Sequence, residues 1–132
     1  MNRQALDVVL IEDNSADVFL IGQALKEAGL IFNLHTFKNG EEAMTFVQSE
    51  AASPDIFLMD WNLPRIHGKE VLAAITHCDR FLKTPRIVLT SSESPADREQ
   101  AEQLGAVFVS KPRTLDEFMQ VGQRVKSILG LQ

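Results

Sequence analysis

Short apolar segments alternate along the chain with segments that have the spacing of amphipathic helices. The apolar segments are residues 6–11, 32–36, 55–60, 86–89 and 106–109. The run Ile56–Met59 is apolar at every position, which is typical of a strand covered on both faces in a parallel sheet. Five strands alternating with five helices predict an α/β fold, in which a parallel sheet with right-handed crossovers carries helices on both faces.

Two of the predicted elements depart from this pattern. In the second strand, Phe32 and Leu34 alternate with polar residues, so we expect this strand at an edge of the sheet with one face exposed. The fourth helix, residues 96–104, has only three apolar residues, and we expect it to pack weakly on the core. The predicted caps of the helices are Asn14 or Ser15, Asn39, Ser94 and Thr114, with Gly29 after the end of the first helix.

Composition narrows the class of protein. A chain of 132 residues with 45% hydrophobic and 23% charged residues fits one ordinary globular domain. Its net charge of −5 argues against a nucleic-acid surface. No apolar run reaches the ~20 residues of a membrane span, and the N-terminus does not resemble a signal peptide. With the single cysteine Cys78, these features favour a cytoplasmic protein.

Polar side chains stand at the carboxyl ends of four predicted strands. Glu12 and Asp13 follow the first strand, Asp60 ends the third, Thr90 follows the fourth, and the fifth leads to Lys111. Because the carboxyl ends of parallel strands meet at one edge, where open α/β sheets bind ligands, we expect these residues to lie together. The acidic turn after the first strand lacks the glycines of a phosphate-binding loop, which disfavours nucleotide- and flavin-binding proteins of similar topology.

This set of residues indicates a metal-assisted phosphoryl acceptor. Carboxylates gathered at ~4–5 Å repel one another by roughly 3–4 kcal/mol at an effective dielectric constant near 20, unless a cation lies among them. Carboxylates and backbone carbonyls without histidine or cysteine suit a hard ion such as Mg²⁺. Asp60 can then attack phosphorus as a nucleophile, Lys111 supplies a positive charge, and Thr90 donates its hydroxyl to a phosphoryl oxygen.

Each of these residues has a simpler interpretation when it is considered alone. Glu12 and Asp13 can merely complement a helix N-terminus, Asp60 and Thr90 can be ordinary strand ends, and Lys111 can be an edge lysine. Aromatic residues such as Trp61 and Phe108 are more often part of a core than of a switch, and His67 and Cys78 are expected to be ordinary loop and packing residues. The hypothesis therefore depends on the joint pattern.

The joint pattern is similar to a known family. The acid pair, the segment Asp60-Trp-Asn-Leu-Pro64, Thr90-Ser91 and Lys111-Pro112 together resemble the receiver domain of two-component response regulators. The resemblance covers essentially the whole chain. It implies a doubly wound, flavodoxin-like sheet with strand order 2-1-3-4-5. It also implies a non-enzymatic phosphoacceptor that promotes its own phosphorylation and dephosphorylation.

The resemblance also implies roles for individual residues. Asp60 would accept a phosphoryl group from a sensor histidine kinase or a histidine phosphotransfer protein. Mg²⁺ or Mn²⁺ would be bound by Asp13, by Asp60 and by the backbone carbonyl of Asn62, with Glu12 acting through water.

Further roles concern sensing and switching. Thr90 and Lys111 would contact the phosphoryl group, and Phe108 occupies the aromatic switch position, where many members have tyrosine. Lys111-Pro112 matches a cis-proline peptide of the family. His67, before Gly68, stands where many members have an acid.

The extent of the chain and its N-terminal stretch refine this expectation. Residues 1–132 are expected to form a single receiver domain without an output domain, so that the output is a surface. That surface, the face of the fourth helix, fifth strand and fifth helix, would bind a partner or a second copy. Residues 11–18 resemble small stand-alone regulators paired with bacterial and cyanobacterial phytochrome kinases.

Two alternative functions are weighed against this one. A small aspartyl-phosphate phosphatase typically has a second acid two residues after the nucleophile, and that position is Asn62. An unphosphorylated receiver-like scaffold would have lost an acid or the lysine, and neither is lost here. Neither nucleic acid nor a membrane is expected as a partner.

Overall fold

The computed structural model describes residues 5–49 and 53–131. The strands are β1 (Leu6–Ile11), β2 (Phe32–Phe37), β3 (Ile56–Asp60), β4 (Arg86–Thr90) and β5 (Val107–Ser110). The helices are α1 (Ser15–Glu27), α2 (Gly40–Gln48), α3 (Gly68–Thr76), α4 (Pro95–Gln103) and α5 (Leu115–Ile128). A short 3₁₀ helix, Asp79–Phe81, precedes β4 and was not predicted from the sequence.

Within the described part of the chain, the strands form one parallel sheet in the order β2-β1-β3-β4-β5. The α/β class, the strand order and the edge position of β2 are thus confirmed. Because β1 and β3 are neighbours, Ile11 is paired with Met59, and the residues that follow these two strands emerge side by side.

Two layers of apolar side chains cover the two faces of the sheet. One cluster includes Phe57, Trp61 and Phe81, and the other includes Leu10, Leu25 and Val125 of β1, α1 and α5. Every residue of β3 and of β4 is buried. This burial is what a continuous apolar run in a central parallel strand requires.

Side chains cap the helices as the sequence predicts. Asn14 accepts hydrogen bonds from the first turn of α1, and Asn39, Ser94 and Thr114 do the same for α2, α4 and α5. Gly29 has a φ of 82°, the left-handed conformation that favours glycine after a helix. Helix α4 buries one of its nine residues, Ala101, which agrees with the expected weak packing. No helix among the described residues is long and apolar enough to cross a membrane.

The packing of α1 against α5 depends on Gly122. A Cβ atom at this position would overlap the backbone carbonyl of Ala24 in α1, which cannot move without shifting the helix. We expect Gly122→Ala to lower the free energy of unfolding by about 3 kcal/mol. The matched control is Gly22→Ala, whose Cβ atom would have its nearest neighbour at 3.9 Å. We expect its free energy of unfolding to rise by up to about 1 kcal/mol. Urea denaturation measures both, and equal stabilities would contradict this account of the interface.

Candidate functional site

The sheet brings three predicted acids together at the carboxyl ends of its two central strands. Glu12 and Asp13 follow β1, and Asp60 ends β3. One carboxylate oxygen from each of the three lies within 4.8 Å of the others. Glu12 and Asp60 are only 2% and 5% exposed, while Asp13 is open to solvent. The cluster is therefore an anionic pocket with one open side.

Lys111 supplies positive charge to this pocket from the end of β5. Its Nζ atom lies 3.1 Å from Asp60 Oδ2 and 3.4 Å from Glu12 Oε1. Burial by itself lowers the pKa of the Lys111 ammonium group, but the hydrogen bond to Asp60 and the negative charges of Asp60 and Glu12 outweigh that effect and raise the pKa. Lys111 is thus a permanent cation in the site.

One lysine does not neutralise the pocket. Burial, followed by the negative charge of Asp60, raises the pKa of the Glu12 carboxyl to about 7, although the Asn14 N–H and Lys111 act in the opposite direction. Three carboxylates share the pocket with one ammonium group, so the pocket lacks positive charge. The donors are carboxylate oxygens, the ligands preferred by hard divalent cations. The residues present therefore fit an ion such as Mg²⁺ or Mn²⁺.

The loop after β3 contacts the side chain of Asp60. The backbone N–H of Asn62 donates to Asp60 Oδ1 at 3.1 Å, and the N–H of Gly68 donates to the carbonyl of Trp61 at 3.0 Å. A Cβ atom at Gly68 would lie 2.5 Å from that carbonyl oxygen, so glycine lets the start of α3 approach the site. His67 caps α3, because its Nδ1 atom accepts the N–H of Lys69.

Thr90 and Lys111 are linked across β4 and β5. Thr90 is 1% exposed, and its carbonyl accepts the backbone N–H of Lys111 at 2.8 Å. Its side-chain oxygen accepts the N–H of Ser92 at 2.9 Å, and the Ser92 hydroxyl in turn donates to Asp97 of α4 at 2.6 Å. A chain of hydrogen bonds therefore leads from Thr90 to the first turn of α4.

The two aromatic residues near the predicted site, Trp61 and Phe108, are both buried. Trp61 is 1% exposed and packs edge-on against the ring of His67. Phe108 is 8% exposed and belongs to the apolar cluster on the α4 side of the sheet. The guanidinium of Arg98 in α4 lies 4.8 Å from the centre of the Phe108 ring, a cation–π contact that the sequence did not reveal.

One acidic residue at the site was missed by sequence reasoning. Asp17, in the first turn of α1, lies 3.4 Å from Lys111 Nζ through its Oδ2 atom. Asp17 does not follow a strand, so the strand-end pattern could not find it. Its position three residues after the Asn14 cap is the one available signal, since it places an acid at the helix N-terminus near the same edge of the sheet.

Comparison with known proteins decides the family. Residues 8–122 match the model of the response regulator receiver domain. The chain belongs to this family. It is 30% identical over 126 residues to response regulator Rcp1 of Synechocystis, an alignment that covers 91% of this chain and 86% of Rcp1.

Solved structures agree with this assignment of the receiver domain. The phosphorylated cyanobacterial phytochrome response regulator RcpA has a TM-score of 0.85 and 30% identity, covering 96% of this chain and 94% of that one. The Mn²⁺-bound form of Rcp1 has a TM-score of 0.82 and 30% identity, covering 92% of both chains. Receiver domains are signalling proteins that take phosphoryl groups from histidine kinases.

The receiver domain departs from one expectation based on the resemblance. No peptide bond among the described residues is cis, so the prediction of a cis bond between Lys111 and Pro112 is wrong for this structure. The trans isomer is intrinsically favoured before proline by about 0.5–1 kcal/mol. Lys111 reaches both Asp60 and Glu12 with this bond trans, so these contacts do not require the cis form.

The raised pKa of Glu12 predicts how the metal-free receiver domain responds to pH. Because the folded pKa is about 7 and the ordinary value is 4.5, the folded state binds more protons than the unfolded state between these values. The contribution of this group to the free energy of unfolding is therefore complete below pH 4.5, and it is lost as the pH rises through 7. We expect Glu12→Gln to remove this loss, which amounts to up to about 3 kcal/mol. Urea denaturation in EDTA at pH 5 and pH 8 measures it, and an identical pH dependence in the two proteins would contradict the assignment.

Proposed function

We propose that this receiver domain accepts a phosphoryl group on Asp60 from a phosphohistidine of a sensor histidine kinase or histidine phosphotransfer protein. The observation that carries the proposal is the set of residues around the Asp60 carboxylate. Its carboxylate ends a central strand, shares a pocket with Glu12 and Asp13, and is hydrogen-bonded to Lys111. A buried carboxylate between acids on one side and a cation on the other suits phosphoryl transfer, which needs positioning and charge neutralisation.

The carboxylates would hold the metal ion. Asp13, Asp60 and the backbone carbonyl of Asn62 are the proposed direct ligands, and Glu12 is proposed to act through water. When bound, Mg²⁺ or Mn²⁺ neutralises these acids and attracts the oxygens of the incoming phosphoryl group. The Mn²⁺ in the Rcp1 structure supports this choice of ion.

The chain's own residues would perform the transfer. A carboxylate oxygen of Asp60 attacks phosphorus, and an O–P bond forms as the N–P bond to the donor histidine breaks. The bonding electron pair stays on the imidazole nitrogen, so the product is an acyl phosphate. Lys111 pairs with the developing charge, and the Thr90 hydroxyl donates to a phosphoryl oxygen.

Phosphorylation would be transmitted to α4 through Thr90. If the Thr90 side chain turns toward the phosphoryl group, its oxygen leaves the N–H of Ser92, and the Ser92–Asp97 hydrogen bond that anchors the start of α4 is disturbed. Helix α4 is easily shifted because it buries little. Arg98 and Phe108 link its movement to β5. The proposed output is therefore a change in the face formed by α4, β5 and α5, which would bind a partner or a second copy.

The relatives suggest where such a regulator acts. RcpA is described as a cyanobacterial phytochrome response regulator, and this chain covers 94% of its length. We infer that this receiver works in the cytoplasm and receives its phosphoryl group from a phytochrome-type histidine kinase. Residues 11–18 of this chain resemble stand-alone regulators of such kinases, which supports the inference.

Beryllofluoride, a phosphoryl analogue, tests the proposal together with its switch. We expect Mg²⁺ and beryllofluoride together to change hydrogen exchange over residues 90–112, while the β2 edge remains as it was. Mg²⁺ alone and beryllofluoride with EDTA are the controls, and neither should produce the change. Unchanged exchange over 90–112 would count against the switch, and a failure to bind beryllofluoride at all would count against the phosphoryl site.

A further inference from the structure

Lys111 has a third carboxylate neighbour, which the proposed transfer does not use. Among the described residues, its Nζ atom is contacted at 3.1 Å by Asp60, at 3.4 Å by Glu12 and at 3.4 Å by Asp17. Asp17 lies outside the cluster of three acids that could share a metal ion. A change at Asp17 therefore leaves the candidate metal ligands in place.

The fold holds Asp17 against Lys111. Asn14 Oδ1 accepts the backbone N–H of Asp17 at 3.1 Å, which fixes the first turn of α1. Helix α1 is in turn held close to α5 by the contact between Ala24 and Gly122. The side chain of Asp17 is 20% exposed and that of Lys111 is 26% exposed, so water screens this pair less than it screens a surface ion pair.

We propose that Asp17 is a positioning residue that restrains Lys111 and opposes the phosphorylated state. The inference rests on the proposed function. An ammonium group has three N–H donors, and before phosphorylation three carboxylates lie within 3.4 Å of it. A phosphoryl group on Asp60 brings about −1.5 to −2 charges and needs the same ammonium group. Lys111 must then give up part of its interaction with Asp17.

Asp17 and Asp60 both contact Lys111 Nζ, so Asp17 also places a negative charge close to the phosphoryl acceptor. Competition for Lys111 and direct repulsion act in the same direction, and both are removed in Asp17→Asn, which has nearly the same shape. We expect this variant to bind beryllofluoride about three- to tenfold more tightly than the wild type at saturating Mg²⁺, somewhat more than a surface ion pair would give. Acyl phosphate on Asp60 is expected to be longer-lived by a similar factor.

The experiment compares the wild type, Asp17→Asn and Asp116→Asn. Asp116 is an exposed acid in the first turn of α5, so its variant removes the same charge from the first turn of another helix. Beryllofluoride affinity is measured by calorimetry at saturating Mg²⁺. In metal-free protein, the rate of Lys111 acetylation by acetic anhydride is followed by mass spectrometry. We expect tighter binding and faster acetylation in Asp17→Asn, and neither change in Asp116→Asn.

The outcomes separate this inference from the proposed function. If the wild type does not bind beryllofluoride, the proposed function fails. If the wild type binds it but Asp17→Asn binds it equally or more weakly, this inference alone is overturned. Unchanged acetylation of Lys111 would likewise overturn the restraint by Asp17. Should Asp17→Asn prove unstable, Asp17→Ser serves in the same measurements.

Discussion

Asp60→Asn is expected to abolish phosphoryl transfer from acetyl phosphate while making the metal-free protein more stable. An amide does not form the acyl phosphate, and it offers the metal ion a weaker ligand than a carboxylate. The same change removes a negative charge from the pocket. Burial is the largest cause of the raised pKa of Glu12, and the charge of Asp60 is the second. We expect the free energy of unfolding at pH 8 in EDTA to increase by about 1–2 kcal/mol.

Intact mass after incubation with Mg²⁺ and acetyl phosphate measures the first effect, and urea denaturation measures the second. Asp116→Asn is the control for loss of a negative charge elsewhere, and it should accept the phosphoryl group like the wild type. If Asp60→Asn were phosphorylated to the same extent as the wild type, another residue would be the acceptor. A large loss of stability in Asp60→Asn would mean that its inactivity reflects unfolding and not the chemistry of the acceptor.

Lys111→Met is expected to have the second largest effect, on stability and on phosphoryl binding together. Two of the three carboxylates that Lys111 contacts belong to Glu12 and Asp60, whose side chains are only 1% and 6% exposed. Without Lys111, both would be buried with no cation beside them. Removing one partner of a fully buried ion pair costs about 3–5 kcal/mol. Because the Lys111 side chain is 26% exposed, we expect a smaller loss of about 2–3 kcal/mol in EDTA at pH 8.

The same variant should bind beryllofluoride about 10–100-fold more weakly, since a hydrogen bond to a charged group contributes about 1.5–3 kcal/mol. Mg²⁺ should restore much of the lost stability, because it supplies positive charge to the same acids. Lys111→Arg retains the charge and is the control: it should recover most of the metal-free stability. If Lys111→Met and the wild type were equally stable in EDTA, Lys111 would not offset the negative charge of the acids.

The residues at the strand ends could be predicted because the topology alone determines their positions. Once the strands are parallel, Asp60 and Lys111 must emerge at the same edge, whatever the details of packing. The apolar run of β3 and the capping residues such as Asn14 are similarly local signals, and the structure confirms them. The family could also be predicted from the sequence, because several motifs with the spacing of receiver domains occur together.

The features that sequence reasoning missed depend on how separate elements pack. The contact of Asp17 with Lys111 joins the first turn of α1 to the end of β5, and nothing local to residue 17 encodes that arrangement. Arg98 covers Phe108 only because α4 lies over β5. The predicted cis bond at Pro112 was taken from the family resemblance, without a local physical reason, and the structure has it trans.

The central claim is that acids from separate strands form a metal-dependent phosphoryl site on Asp60. Its most direct test locates the phosphoryl group in wild-type protein after incubation with acetyl phosphate, with Mg²⁺ or with EDTA. Borohydride reduction converts phosphoaspartate to homoserine, which tandem mass spectrometry can assign to one residue. We predict modification at position 60 alone, and only with Mg²⁺. Modification at a different residue, or equal modification of Asp60 in EDTA, would contradict the claim.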